Sequence, residues 1–445
     1  TRGANLRTLA VLAADVTPDK TTLGDVYELS ADLKLTKMAD QKGAGFFQKN
    51  TEIPQGIVTA DAASVIFEES GVRWRLPRSA SPAHDGLLAR GALRKVREVC
   101  TERDMLQAHG TFYELPALNA KGGVNGRKIK LLVEDSGYDP RRAVLAAQKL
   151  VNQDKIFMMV GHIGTAQNMA AMPVQFEKNV INFFPITAAR EMYEPFHKLK
   201  YSFAAPYYDQ MRLAVPKLVK EKGAKKVCTL YQDDDFGLEV LKGGEDGLKT
   251  IGMEFAEKTS YKRGATDFSS QVSKMQASGC DFVVLGTIIR ETIGAIGTAR
   301  KLGYNPTFIG SSAAYTDLIH KIGGKAMDGL YATMTVQNPY TDEQTPSIRF
   351  WANKYKTKFN EDPTVFSAYG YGAVDSYLRA VEKAGANLTT ETFIKAMDTM
   401  KIPSDMFGSA EMTFSPTKRL GSNISRMSQI QDGRWKVVSD YPKAK

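Results

Sequence analysis

The close alternation of apolar runs and amphipathic stretches over residues 118–186 limits the fold of this chain more than any other feature. KIKLLVED (Lys128–Asp135) is apolar and β-favouring, and PRRAVLAAQKLVNQD (Pro140–Asp154) repeats its apolar residues at helical spacing. IFMMVG (Ile156–Gly161) is a short apolar run, TAQNMAAMPVQFEKN is amphipathic again, and VINFFPI (Val180–Ile186) closes the unit. Strands that alternate with helices this tightly must run parallel, with the helices packed on the sheet faces. Ligands of such sheets sit beyond the carboxyl ends of the strands. Those ends are Gly161-His162-Ile163-Gly164-Thr165 and Pro185-Ile186-Thr187-Ala188. Each sets small or hydroxyl residues at the mouth of a helix, where free backbone N–H groups can hold a carboxylate.

The same rhythm continues. YSFAAPYY (Tyr201–Tyr208) reads as an extended crossover. Beyond it, KKVCTLYQ, MEFAEKTSY, DFVVLGT, PTFIGSS and GLYATMTV are strands separated by helices such as FGLEVLKGGEDGLKTIG and ETIGAIGTARKLG. After Gln337-Asn338-Pro339 come three more helical stretches, then GSAEMTFSP and ISRMSQIQDGRWKVVSD, strands with a Gln431-Asp432-Gly433 turn. The expected fold class is α/β, parallel sheets with flanking helices.

Residues 1–117 do not share this pattern. SVIFEE (Ser64–Glu69) and VRWRLP (Val72–Pro77) flank Ser70-Gly71, which predicts a β-hairpin. HGTFYELP (His109–Pro116) reads as a further strand, and Leu87–Leu106 fits either a charged helix or a strand. The expected architecture is β-rich and antiparallel, of propeller type, with no chemistry assigned.

Composition excludes several function classes. The net charge of +10 comes from lysines scattered over helix faces, and no helix-turn-helix, RNA-binding or zinc-finger pattern accompanies it. Nucleic acid is therefore not an expected partner. No stretch reaches the roughly 18–20 apolar residues of a membrane helix; Leu9–Ala14 is far shorter and lacks signal-peptide flanks. Cys100, Cys228 and Cys280 have no metal-ligand spacing and suggest no disulfide framework; Cys228, inside an apolar strand, reads as a small buried hydrophobe. The five histidines are isolated, so no metal or other cofactor is expected. No nucleophile–base pair or phosphate loop points to an enzyme; Asp235-Phe236-Gly237 lacks the kinase motifs that would give it meaning.

NAKGGVNGRKIKLLVEDSGYDP, VGHIGTAQNMA and FFPITAAREM resemble the first lobe of the periplasmic leucine/isoleucine/valine-binding protein family, and the resemblance continues in order to about Asp440. It implies a two-lobed clamp joined by three hinge crossovers, with a first lobe of 118–204 and 338–408 and a second lobe of 205–337 and 409–445. It also implies an extracytoplasmic, monomeric solute-binding protein that serves the permease and ATPase subunits of an ABC importer. A ligand sensor of the same fold, signalling to a regulatory partner, is the alternative. Family members open with a strand and a long helix ending in an N-x-x-GG-V-N-G turn. Here only the end of that helix is recognisable, so the first lobe is expected to lack an edge.

The resemblance places the ligand carboxylate on Gly164, Thr165, Thr187 and Ala188, with Ile186 along the wall. Gly164 is expected to offer its N–H, and Phe236 to close over the ligand from the second lobe. Phe366 is a further aromatic candidate, with core packing as its competing role. Amino-acid binders of the family carry an acidic residue soon after the strand that reads FIG here. In this chain the turn is Gly310-Ser311-Ser312-Ala313-Ala314-Tyr315, so Ser312 stands in its place. An ammonium buried without a counter-charge costs on the order of several kcal/mol. The expected ligand is therefore a carboxylate or amide without an α-amino group, or a branched-chain amino acid, with Thr287 and Tyr315 supplying neutral hydrogen bonds. Glu291 and Asp317 are the nearest acidic alternatives.

Overall fold

The computed structural model describes residues 118, 119 and 122–441, together with the backbone of five short strands nearer the N-terminus. The chain divides into two compact units, Thr1–Phe112 and Tyr113–Lys445.

In the first unit β1 (Tyr27–Leu29), β2 (Leu35–Lys37), β3 (Ile57–Ala60), β4 (Ser64–Glu69) and β5 (Val72–Pro77) form an antiparallel sheet in the order β2-β1-β3-β4-β5. The expected hairpin is β4–β5, with Glu69 opposite Val72. Its Ser70-Gly71 turn, Leu87–Leu106 and His109–Pro116 lie outside the described residues.

The second unit is the two-lobed α/β fold. Its smaller sheet is parallel, β6 (Met158–Val160), β7 (Ile181–Phe183) and β8 (Lys200–Tyr201) in that order. It is flanked by α1 (Pro140–Gln148) and α2 (Thr165–Glu177). Phe183, Phe184 and Tyr201 are fully buried against Phe393 and Phe414. The expected strand at Lys128–Asp135 is absent: the segment pairs with no strand among the described residues, and Leu131 and Val133 are 66% and 80% exposed. A strand exists only through a neighbour's hydrogen bonds, and β propensity alone could not supply one.

The larger sheet runs β10-β9-β11-β12-β13-β16-β17. Its members are β9 (Val227–Gln232), β10 (Phe255–Tyr261), β11 (Phe282–Gly286), β12 (Thr307–Gly310), β13 (Tyr331–Met334), β16 (Arg426–Gln431) and β17 (Arg434–Ser439). The first five are parallel and the last two antiparallel. All five residues of β11 are buried, as a continuous apolar run between covered faces requires. Outside it pack α3 (Tyr207–Lys222), α4 (Asp235–Lys249), α5 (Ser269–Ala277), α6 (Ile289–Lys301) and α7 (Asp317–Gly323). Helices α3 and α4 approach closely because α4 turns glycines toward α3. A Cβ at Gly243 would collide with the Tyr208 carbonyl oxygen.

After β13 the chain returns to the smaller lobe as α8 (Pro346–Phe359), α9 (Val365–Ala384) and α10 (Thr390–Asp398). A short antiparallel pair follows, β14 (Lys401–Ile402) with β15 (Met412–Thr413). Ile402, Met412 and Phe414 belong to the smaller lobe's core. Residues around β15, expected in the second lobe from 409 onward, therefore pack with the first, and only β16 and β17 rejoin the larger sheet. The three passages between lobes follow β8, β13 and β15.

Cys228 and Cys280 form a disulfide, which corrects the reading of Cys228 as an unbonded hydrophobe. They are 52 residues apart in sequence. The parallel register that sets Cys228 beside Val283 brings Cys280, just ahead of β11, within reach. We expect thiol titration of the unfolded, unreduced chain to count at most one of its three cysteines. Replacing both partners with Ser should lower the unfolding free energy by about 2–4 kcal/mol in urea. Three reactive thiols in material never exposed to reductant would refute the bond.

Candidate functional site

Between the lobes lies a cavity of about 340 Å³. Its first-lobe wall is made by the two strand-end turns. The β6–β7 pairing extends past the strands as a parallel bridge between Ile163 and Ile186. Through it the Gly164 N–H donates to the Ile186 carbonyl (3.3 Å) and the Ile186 N–H to the His162 carbonyl (3.0 Å). The Gly164 N–H, expected to face the ligand, is thus taken by the sheet. Gly164 is needed for another reason: its φ is +97°, and a side chain there would collide with Gln167 and the Tyr138 ring. Beneath the turn, Asn168 donates to the carbonyls of His162 and Gly164 (2.7 Å each) and accepts from Asn182 (3.1 Å).

This scaffold sets the Thr165 and Thr187 hydroxyls 2.7 Å apart, both buried at the cavity wall. The first N–H of α2 taken within the helix is that of Asn168, by Gly164. The N–H groups of the turn before it point out of the helix end, where partial positive charge favours an anion. Burial raises the Tyr207 phenol pKa, and hydrogen bonds to Thr187 and the Ala188 backbone pull it back down, so this ring reaches the same corner.

The second-lobe wall is equally fixed. Asp234 caps α4, and its carboxylate also accepts from Gln232 and Arg263 (2.6 Å each). That anchors the first turn carrying Phe236, whose ring packs edge-on to Tyr207 at 5.0 Å between centroids. Phe236 is 3% exposed, so it is wall rather than movable flap. Ser312 is gripped from both sides by Gln210, which donates to its hydroxyl (2.9 Å) and accepts from its N–H (2.8 Å). Thr333 donates to the same Gln210 oxygen (2.6 Å).

Eight of the nine principal candidates line this one cavity: Gly164, Thr165, Ile186, Thr187, Ala188, Phe236, Ser312 and Phe366; Tyr315, the further hydrogen-bond candidate, lines it too, its hydroxyl accepting from the Asn338 N–H at 3.0 Å. Phe366 is 37% exposed, so core packing is not its role. The ninth, Thr287, is corrected: it is fully buried and exchanges a 2.6 Å hydrogen bond with Thr292 in the first turn of α6. The residues just after it, Ile288 to Glu291, reach the cavity instead. Tyr138, Tyr207 and Tyr369 also line it, and nothing in their sequence spacing marks them. Cationic contacts join the lobes. Arg190 binds the buried Glu239 of α4 (2.7 and 2.8 Å to Oε1), and Arg263 lies over the Tyr138 ring at 5.3 Å.

His162 reports on the integrity of the first-lobe turn. Burial lowers its imidazole pKa to about 4. Because that lies below the ordinary value, the neutral ring favours folding in full above about pH 6.5, and the contribution fades as pH falls through about 4. We expect unfolding free energy to drop by at most about 3 kcal/mol across that window from this group. His162→Gln should flatten the profile measured by urea unfolding; an unchanged slope would dismiss the assignment.

Residues 115–434 match the family described as periplasmic binding protein. The leucine-, isoleucine-, valine-, threonine- and alanine-binding protein of Pseudomonas aeruginosa is 27% identical over 283 residues, which cover 63% of this chain and 74% of that protein. The Leu/Ile/Val-binding protein of Escherichia coli is 23% identical over 288 residues, covering 64% and 77%. Among solved structures, a branched chain amino acid ABC transporter protein from Thermus thermophilus with bound valine superposes with a TM-score of 0.66 at 18% identity, covering 74% of this chain and 89% of that one. A fatty acid ABC transporter substrate-binding protein from Thermomonospora curvata gives 0.66 at 23% identity, covering 74% and 86%. With its two-lobed fold, its cavity between the lobes and a match running from 115 to 434, the chain belongs to the periplasmic binding protein family.

Proposed function

We propose that this protein is the extracytoplasmic solute-binding component of an ABC importer, closing its lobes on a small carboxylate-bearing ligand of amino-acid size. The observation that carries this reading is the pair of Thr165 and Thr187 hydroxyls, 2.7 Å apart at two strand-end turns facing the cavity. The two hydroxyls are hydrogen-bonded to each other, which leaves one O–H to donate; beside a helix N-terminus that donor suits a carboxylate, since hydrogen bonds to an ionised acceptor are the stronger kind. Ile163, Ile186, Phe236 and Phe366 offer an apolar body with which a branched or aromatic side chain can pack. Relatives named for binding leucine, isoleucine and valine support that size and shape.

The mechanism is capture rather than chemistry. A ligand held by the first-lobe turns and touched by Phe236 and Ser312 gains contacts only when the lobes meet, so binding shifts the hinge toward closure. The closed form is what the permease and ATPase subunits would recognise. The Cys228–Cys280 disulfide fits an oxidising compartment outside the cytoplasm.

The test is calorimetric titration of the full chain with leucine, valine, phenylalanine and their deaminated counterparts. We expect one-to-one binding of at least one of them. Thr187→Val should weaken that binding by about tenfold or more, and lower the unfolding free energy by about 1–3 kcal/mol because the buried Thr165 and Tyr207 hydroxyls lose a partner. A wild-type chain that ignores the whole panel, or a Thr187→Val variant that binds as well as wild type, would reject the proposal.

A further inference from the structure

We propose that Phe203 and Tyr369 form a partition that sets the length of ligand this protein accepts, by closing the cleft off from a second cavity at the hinge. This rests on the preceding reading of the cleft as a carboxylate site and deepens it, naming what limits the far end of the ligand.

The second cavity has a volume of about 40 Å³. All three passages between the lobes wall it: Phe203 and Ala205 after β8, Thr335 and Val336 after β13, Ser422 and Ile424 after β15. A space of that size holds a few waters and no ligand of amino-acid size, so it is not a site by itself. Its meaning lies in what divides it from the cleft. Phe203 and Tyr369 line both cavities, and their rings meet edge to face with centroids 5.4 Å apart.

Neighbours hold both rings in place. Phe203, two residues beyond β8, packs against the cores of both lobes, with the Phe184 ring 5.4 Å away on the hinge side. Tyr369 lies on α9 three residues after Phe366, the spacing of one helix face, and their rings are 6.3 Å apart. Its hydroxyl is 3.4 Å from that of Thr335 on the second passage. Behind the rings the space is open. Gly372, one turn further along α9, lines the hinge cavity but not the cleft. A Cβ there would meet nothing closer than Asp405 Oδ2, at 3.7 Å. That carboxylate is held by its own turn, Oδ1 accepting from the N–H groups of Phe407 (2.9 Å) and Ser409 (3.2 Å). Phe184, Ile402 and Met412 add apolar wall. A ligand anchored at Thr165 and Thr187 therefore gains apolar contact as its chain lengthens until it meets the two rings, and is stopped short of usable space.

The test is calorimetry on the full chain with two homologous series, butanoate through decanoate and the matching straight-chain 2-amino acids. Each methylene withdrawn from water is worth about fourfold in affinity. We expect wild-type affinity to climb with chain length and then to break, dropping by about tenfold or more for the longer members. Phe203→Ala should move the break to longer chains. Phe203→Leu, which keeps the hinge packed, should move it less, and decides the matter if the alanine variant does not unfold cooperatively. Adding Gly372→Ala to either variant puts a methyl into the hinge cavity alone and should bring the break part of the way back. A variant harmed only in folding or in hinge motion would weaken every member of a series alike and leave the break where it was. Affinity that rises smoothly through the longest wild-type ligand, or a break unmoved in the folded Phe203 variants, overturns the partition while the carboxylate site stands. If neither series binds wild type, the carboxylate reading falls and this inference with it.

Discussion

The parallel pairing of β6 with β7, carried one bridge further by Ile163 and Ile186, is the constraint on which the site depends. Neighbouring parallel strands hold their ends at one height, so the turns that follow must emerge side by side. The bridge uses the Gly164 N–H, Asn168 ties the carbonyls beneath, and Thr165 and Thr187 are left in contact at the cavity wall. No single one of these bonds is strong. Together they over-determine the position of two hydroxyls, which is what a preorganised anion site requires.

The second lobe achieves the same fixity from one helix. Gln210 of α3 accepts from Ser312 and Thr333 and donates to Ser312 and the Ala205 carbonyl. A single amide thereby locks the β12 turn to the β13 strand and to the crossover from the first lobe. Tyr207, one turn earlier on α3, supports Phe236 and reaches Thr187. The helix that begins at the hinge touches both walls, so movement of the lobes and the shape of the cavity are coupled through it. Arg190 with Glu239 then joins the lobes by a largely buried ion pair. Such a pair specifies one arrangement of two bodies more than it stabilises either of them.

Much of this was legible from residue pattern. Periodicity of two and of about 3.6 separated strands from helices over 156–336. Strand-end reasoning located Thr165 and Thr187, because position beyond a parallel strand follows from chain order alone, and the family resemblance added Ser312. Gly164 was legible as a special residue but for an incomplete reason: the left-handed φ and the crowding by Gln167 and Tyr138 demand glycine, while its N–H serves the sheet.

What the chain order could not decide were facts set by neighbours distant in sequence. KIKLLVED has strand composition, yet strand formation requires a partner edge, and none pairs with it among the described residues. Cys228 and Cys280 are unremarkable at a separation of 52 and become bonded only once β9 and β11 lie in register. Thr287 and Glu291 stand on the same turn, four residues apart. Sequence determined that both follow a buried strand; only the tertiary packing decided which faces the cavity. The first turn of α6 points Thr287 inward to Thr292 and leaves the Glu291 carboxylate at the wall with one oxygen unanswered. Burial is a property of what surrounds a side chain, and that is written in the fold rather than in the spacing of its letters.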